Sequence, residues 1–301
     1  MSMRHGCPIA AITASIIAVV AWMPQSVVAQ SAGASAPTAA APPPQSQTAS
    51  PAPAKEPDDI AAAYLKAKAL ADEHARAGRF GEAATAAANA ARLSEALSGA
   101  HSIETAVARH NLGFVLRRAG RAAEAREPLE AALATYERLL PALHPALRNA
   151  VGELGQLHIA SGRERELADI YARIVARAER EGAGRHINVA NMLASRGFVL
   201  RRMNETAESE AAFVRALGVY EALGEIDGAA YQQTLAALLD RLDQSKRSSE
   251  AEAKAKSAIV ALTALGSKGT PNAVALLDRL SRAALEAGRA AEAKAHAEAA
   301  L

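Results

Sequence analysis

Hydrophobic positions along the chain fall into short helical registers separated by single turn residues. Before Gly120, Leu112, Val115, Leu116 and Ala119 share one helix face; after it, Ala125, Leu129, Ala132, Leu133 and Tyr136 share another. Spacings of three and four residues predict two amphipathic helices joined by a tight turn. The unit then recurs. Stretches reading AGRFGEAA, AGRAAEAR, SGRERELA, MNETAESE, SKRSSEAE and AGRAAEAK begin at residues 77, 119, 161, 203, 245 and 287, always 42 apart. Their second residues, Gly78, Gly120, Gly162, Asn204, Lys246 and Gly288, stand where a helix end needs positive φ. Four residues on, Glu82, Glu124, Glu166, Glu208, Glu250 and Glu292 fall in the first turn of the next helix, at the positive end of its dipole. A glutamate that every unit carries has a structural role. The same register explains why GFVLRR stands at 113–118 and again at 197–202.

Small and large residues alternate between the paired helices. Ala71, Gly113, Gly155 and Gly197 on first helices and Ala83, Ala125 and Ala293 on second helices permit close approach, while Leu129, Tyr171 and Phe213 at one recurring position fill the space between. One pair cannot cover its own apolar face, so neighbours must stack. The expected fold is all-α, a right-handed α-solenoid of about six helix-turn-helix repeats over 58–301, with turns near 78, 120, 162, 204, 246 and 288. Three departures mark weak places: Arg196 replaces the leucine of the other first helices and is expected to pack loosely or turn outward, Lys246 replaces a turn glycine, and Ala87, Ala90 and Ala91 make repeat one shallow.

At these residues the chain resembles the tetratricopeptide repeat family, in the 42-residue variant of kinesin light chains. HNLGFVLRRAGRAAEAREPLEAAL at 110–133 carries the resemblance best, with Leu112, Gly113, Gly120, Glu124, Ala125, Ala132 and Leu133 at signature places. The segments ALHPAL at 142–147, GRHINVA at 184–190 and GTPNAVA at 269–275 resemble that variant's linkers. The resemblance implies a non-enzymatic binding protein that works through a groove lined by first helices.

The N-terminal part has a different pattern. Arg4 and His5 precede an uncharged, mainly apolar run from Ile9 to Met23, followed by Val27-Val28-Ala29, which reads as a cleaved secretory signal over 1–29. Its 15 positions make about 22 Å of helix, short of a ~30 Å bilayer core, so no membrane span is expected after cleavage; an uncleaved anchor is the alternative. Residues 30–57 are almost wholly Ala, Pro, Ser, Gln and Thr, a disordered tether. The expected location is therefore exported, periplasmic or secreted. Cys7, the only cysteine, would leave with the signal.

Composition narrows the chemistry. The chain is 50% hydrophobic but 3% aromatic, and 34 basic against 32 acidic residues leave +2, too little for a nucleic-acid surface. Motifs for metalloprotease, P-loop, nucleophile-elbow or dinucleotide chemistry are missing, and no catalytic residue, cofactor or metal is implied. His101, His144 and His186 recur as linker caps, and His74 and His158 as part-buried helix residues. What remains is a binding face. With Leu112, Val115 and Leu116 turned into the stack, His110, Phe114 and Arg117 share the other face of the first helix of repeat two; repeat four presents Phe198 and Arg201, and repeat three presents Asn149 and Gln156 between them. Arginine grips carboxylates and amides hold extended backbone, so the expected partner is a protein segment or an extended acidic or C-terminal peptide. Asp240, Asp243 and Asp278 are expected to make the distal groove acidic. The alternative is an accessory subunit of an envelope complex, docked through its C-terminal repeat.

Overall fold

A computed structural model describes residues 57–266 and 270–300; the signal over 1–29 and the tether up to residue 56 lie outside them. Among the described residues there are twelve helices and no strand. The first helices are α1 (Pro57–Arg76), α3 (Ile103–Arg118), α5 (Pro145–Ala160), α7 (Ile187–Arg202), α9 (Ala229–Gln244) and α11 (Pro271–Glu286). The second helices are α2 (Phe80–Ser98), α4 (Ala122–Leu139), α6 (Glu164–Arg180), α8 (Thr206–Leu223), α10 (Ser248–Ala264) and α12 (Ala290–Ala300). Each helix packs on its neighbours in sequence, as a solenoid requires. No described helix is long and apolar enough to cross a membrane.

Each intra-repeat turn closes in the same way. In repeat two Gly120 N–H donates to Arg117 C=O and Arg121 N–H to Leu116 C=O, and the same pair of bonds recurs through Gly78, Gly162, Asn204, Lys246 and Gly288. This pattern ends a helix through one residue of positive φ, and all six central residues have it, including Asn204 at 60° and Lys246 at 59°. The residue that follows is an arginine in five repeats. It clasps the first-turn glutamate, as Arg121 does Glu124 at 2.6 Å and Arg247 does Glu250 at 2.6 Å. These arginines hold the Glu124, Glu166 and Glu250 carboxyls below their ordinary range.

Repeat four departs from this rule, and the departure explains Arg196. Glu205 stands where the other turns have arginine, so Glu208 would lack its clasp. Arg196 supplies it from inside the pair, donating to Glu208 at 2.8 Å. The expectation that Arg196 turns outward is thus corrected: the side chain is largely covered, and its Nε has no acceptor among the described residues. The leucine of other repeats is exchanged for a relocated cation.

A continuous apolar core runs from α1 into α11, with Leu129, Leu154, Leu167, Phe213, Leu217 and Leu235 fully buried. The helix glycines serve side chains rather than bare backbone contact. A Cβ on Gly113 would lie under 3.0 Å from Leu129, and one on Gly197 equally close to the Phe213 ring. At the N-terminal end, Ala87, Ala90 and Ala91 are buried, but the satellite core there is built from Ala67, Ala90 and Leu93 with half-buried Tyr64, a thinner layer than the middle repeats have.

Candidate peptide-binding face

The linker histidines act locally. His144 Nδ1 and His186 Nδ1 each accept the backbone N–H two residues on, Ala146 at 3.2 Å and Asn188 at 3.1 Å, capping α5 and α7. At the start of α3 it is Ser102 that caps, taking the N–H of Thr105 at 3.1 Å, so His101 is not the cap there. These caps fix where each first helix begins and hence which residues occupy its outer face.

On α3, His110 is half-buried, with its ring 6.0 Å from that of Tyr136. Burial lowers its pKa, opposed more weakly by the Glu153 carboxylate, so the ring is neutral at pH 7. Phe114, one turn on, is 36% exposed and touches no other ring among the described residues. Arg117 is engaged: its Nε pairs with Glu153 on α5 and its Nη1 donates to Gln156 Oε1 at 2.7 Å. Arg117 and Gln156, both expected to meet a ligand, are therefore bound to each other across the repeat boundary.

The second copy is arranged otherwise. Phe198 is half-buried on the core, edge-on to Phe213 with centroids 5.0 Å apart, so this aromatic belongs partly to the packing. Arg201 is exposed, its guanidinium carbon 5.2 Å from the Phe198 ring centre, with no carboxylate or hydrogen-bond acceptor among the described residues. The difference follows from a single register. Glu153 stands 36 residues after Arg117; the residue 36 after Arg201 is Ala237, which is buried and carries no charge.

That offset is a general cross-repeat rung. Glu137 to Arg173 and Glu179 to Arg215 use it on second helices, and Asp243 to Arg279 uses it on first helices with the charges reversed. Arg279 also reaches Asp240, and Arg282 pairs with Asp278 at 2.9 Å. The expected acidic distal groove is corrected accordingly, because each of its three carboxylates faces an arginine. Opposite charges 36 residues apart are the signal in the sequence that marks these rungs, with Arg201 as the exception.

Between the two copies runs a column of amides at one repeat position. Asn149 on α5 is half-buried, and Asn191 on α7 and Gln233 on α9 are exposed. Asn191 is oriented from beneath by Tyr220, whose hydroxyl donates to its Oδ1 at 2.6 Å, which leaves the amide N–H groups free to point outward. The face expected from the sequence includes Asn149 alone of the three; the other two share its position 42 and 84 residues later.

The tetratricopeptide repeat model matches residues 105–146, which run from α3 to the start of α5. Among solved structures, a crystal structure of nearly identical TPR-like repeats, described as kinesin light chain from Podosopora anserina, aligns with TM-score 0.51 and 14% identity, covering 71% of this chain and 99% of that one. BtubC (BKLC) from P. vanneervenii aligns with TM-score 0.48 and 16% identity over 80% of this chain and 89% of that chain. No curated protein sequence matches significantly. By its matched repeat and by its fold, the chain is placed among tetratricopeptide-repeat solenoids similar to kinesin light chain.

Proposed function

We propose that this protein is an exported, non-enzymatic interaction scaffold that holds an extended peptide or protein segment along its first-helix face. The observation that carries the reading is Arg201, a cation spread over the Phe198 ring with no acidic partner among the described residues, next to the outward amides of Asn191 and Gln233. Amides at one repeat position can pair with the backbone of an extended chain, and a guanidinium can take a carboxylate through two parallel bonds. Arg117 is held by Glu153, so the acidic group of the ligand belongs at repeat four. The aromatic contact at the other end is Phe114.

Fluorescence anisotropy with the full chain tests this, using peptides that are identical except for a free or amidated C-terminus and a set bearing internal Asp or Glu. Acidic or free-carboxylate forms should bind more tightly, and the preference should fade with salt. Equal binding of neutral and acidic forms would remove the role given to Arg201.

A further inference from the structure

Away from the first-helix face, we infer that the cleft between α4 and the α5–α6 turn is a binding site for a divalent transition metal, zinc(II) by its donor set. The site is made by Glu130 on α4, His158 on α5 and Glu166 on α6, whose ligand atoms lie within 4.8 Å of one another, in a cleft of about 360 Å³. His158 is the group that gives the cluster direction. The residue is 1% exposed, and its Nδ1 lies 2.8 Å from the Leu154 carbonyl oxygen. A carbonyl can only accept, so Nδ1 carries a proton, and the lone pair available for a metal is that of Nε2, on the cleft side. Nε2 lies 3.8 Å from Glu166 Oε2, too far for a hydrogen bond. A backbone carbonyl fixing one ring nitrogen while the other faces two carboxylates is the arrangement that orients a histidine ligand.

The guanidinium of Arg163 occupies the cation's place. It pairs with Glu166 and lies 3.5 Å from Glu130 Oε1, while Arg126 reaches Glu130 from the rim at 3.8 Å. The Arg163–Glu166 clasp alone means little, because the other arginine-bearing turns have one. Repeat three differs in adding a buried imidazole and a second glutamate to it. Repeat one also has a histidine at this position, but His74 Nδ1 is taken by Arg79 at 3.0 Å, and no comparable trio of donors forms there among the described residues. Zinc bonds of about 2.0–2.1 Å need the donors to close to roughly 3.3 Å, which rotation of two partly exposed glutamate side chains supplies. A bound ion would tie repeat two to the turn of repeat three.

The test is isothermal titration of the full chain, free of any polyhistidine tag, with zinc(II). One site is expected. Glu130→Gln, isosteric and on a partly exposed side chain, should weaken that site roughly tenfold or more. Arg163→Ala should tighten it, because the competing cation is gone; a merely structural role for the cluster would give no such gain. No measurable zinc binding by the wild-type chain, or an affinity unchanged in Glu130→Gln, would overturn the assignment.

Discussion

The two copies of GFVLRR are identical in sequence and unequal in structure. In repeat two the glycine makes room for Leu129, the penultimate arginine is engaged by Glu153 and Gln156, and the last, Arg118, lies 4.9 Å over the Phe80 ring. In repeat four the glycine makes room for Phe213, the penultimate arginine stands free over Phe198, and Arg202 pairs with Glu164 at 3.4 Å. Glu164 is the repeat equivalent of Phe80, and Ala237 that of Glu153. A repeated motif thus repeats its fold, while neighbours one repeat away decide its chemistry.

The largest effects should come from the residue under each glycine. Phe213→Ala removes a fully buried ring from the middle of the stack and should cost about 3–5 kcal/mol, read from denaturant unfolding. Filling the space from the other side separates the copies further. Gly197→Ala should destabilise by about 1–3 kcal/mol and by more than Gly113→Ala, because a ring held edge-on by Phe198 yields less than the flexible Leu129. Equal costs at the two glycines would mean the packing is the same in both repeats.

Acid should act on the clasps around these copies. Arg289 and Lys256 pull the Glu252 carboxyl down to about 2, and arginine partners hold Glu124, Glu166 and Glu250 below 4.5. Folded values lie below unfolded ones, so this stabilisation is present above about pH 4.5 and is lost as pH falls toward about 2. Thermal melts between those limits should show a falling midpoint. A midpoint independent of pH in that window would contradict the clasp geometry. The smallest effect concerns the turns. Lys246 holds a left-handed conformation at a steric cost of about 1–2 kcal/mol that glycine avoids, less the roughly 0.5–1 kcal/mol glycine loses to entropy. Lys246→Gly should therefore raise stability slightly, and Asn204→Gly less, since asparagine tolerates the region better.

Much of this is legible from spacing. The six turns, the helix pairs and the meaning of the repeated glutamate all follow from a 42-residue register, because helical period and turn stereochemistry are local. Arg196 is not legible in the same way, since its reason lies outside its own helix: Glu205 displaces the turn arginine, and only the paired geometry shows one cation substituting for another. Arg117 is a similar case, as its partner is set by the stagger between adjacent repeats and not by any property of GFVLRR. Asn191 and Gln233 are readable in the register, but neither belongs to the repeated hexapeptide that draws the eye to this face.

A counter-charge one repeat away decides which arginine receives the ligand. Glu153→Ala gives Arg117 the surroundings that Arg201 has naturally, and Arg201→Glu reverses the free cation. Anisotropy titrations of one acidic peptide against wild type and both variants, with circular dichroism to confirm unchanged helix, measure this directly. Arg201→Glu should weaken capture strongly and Glu153→Ala should strengthen it. Full-strength capture by Arg201→Glu, or none gained by Glu153→Ala, would contradict the account.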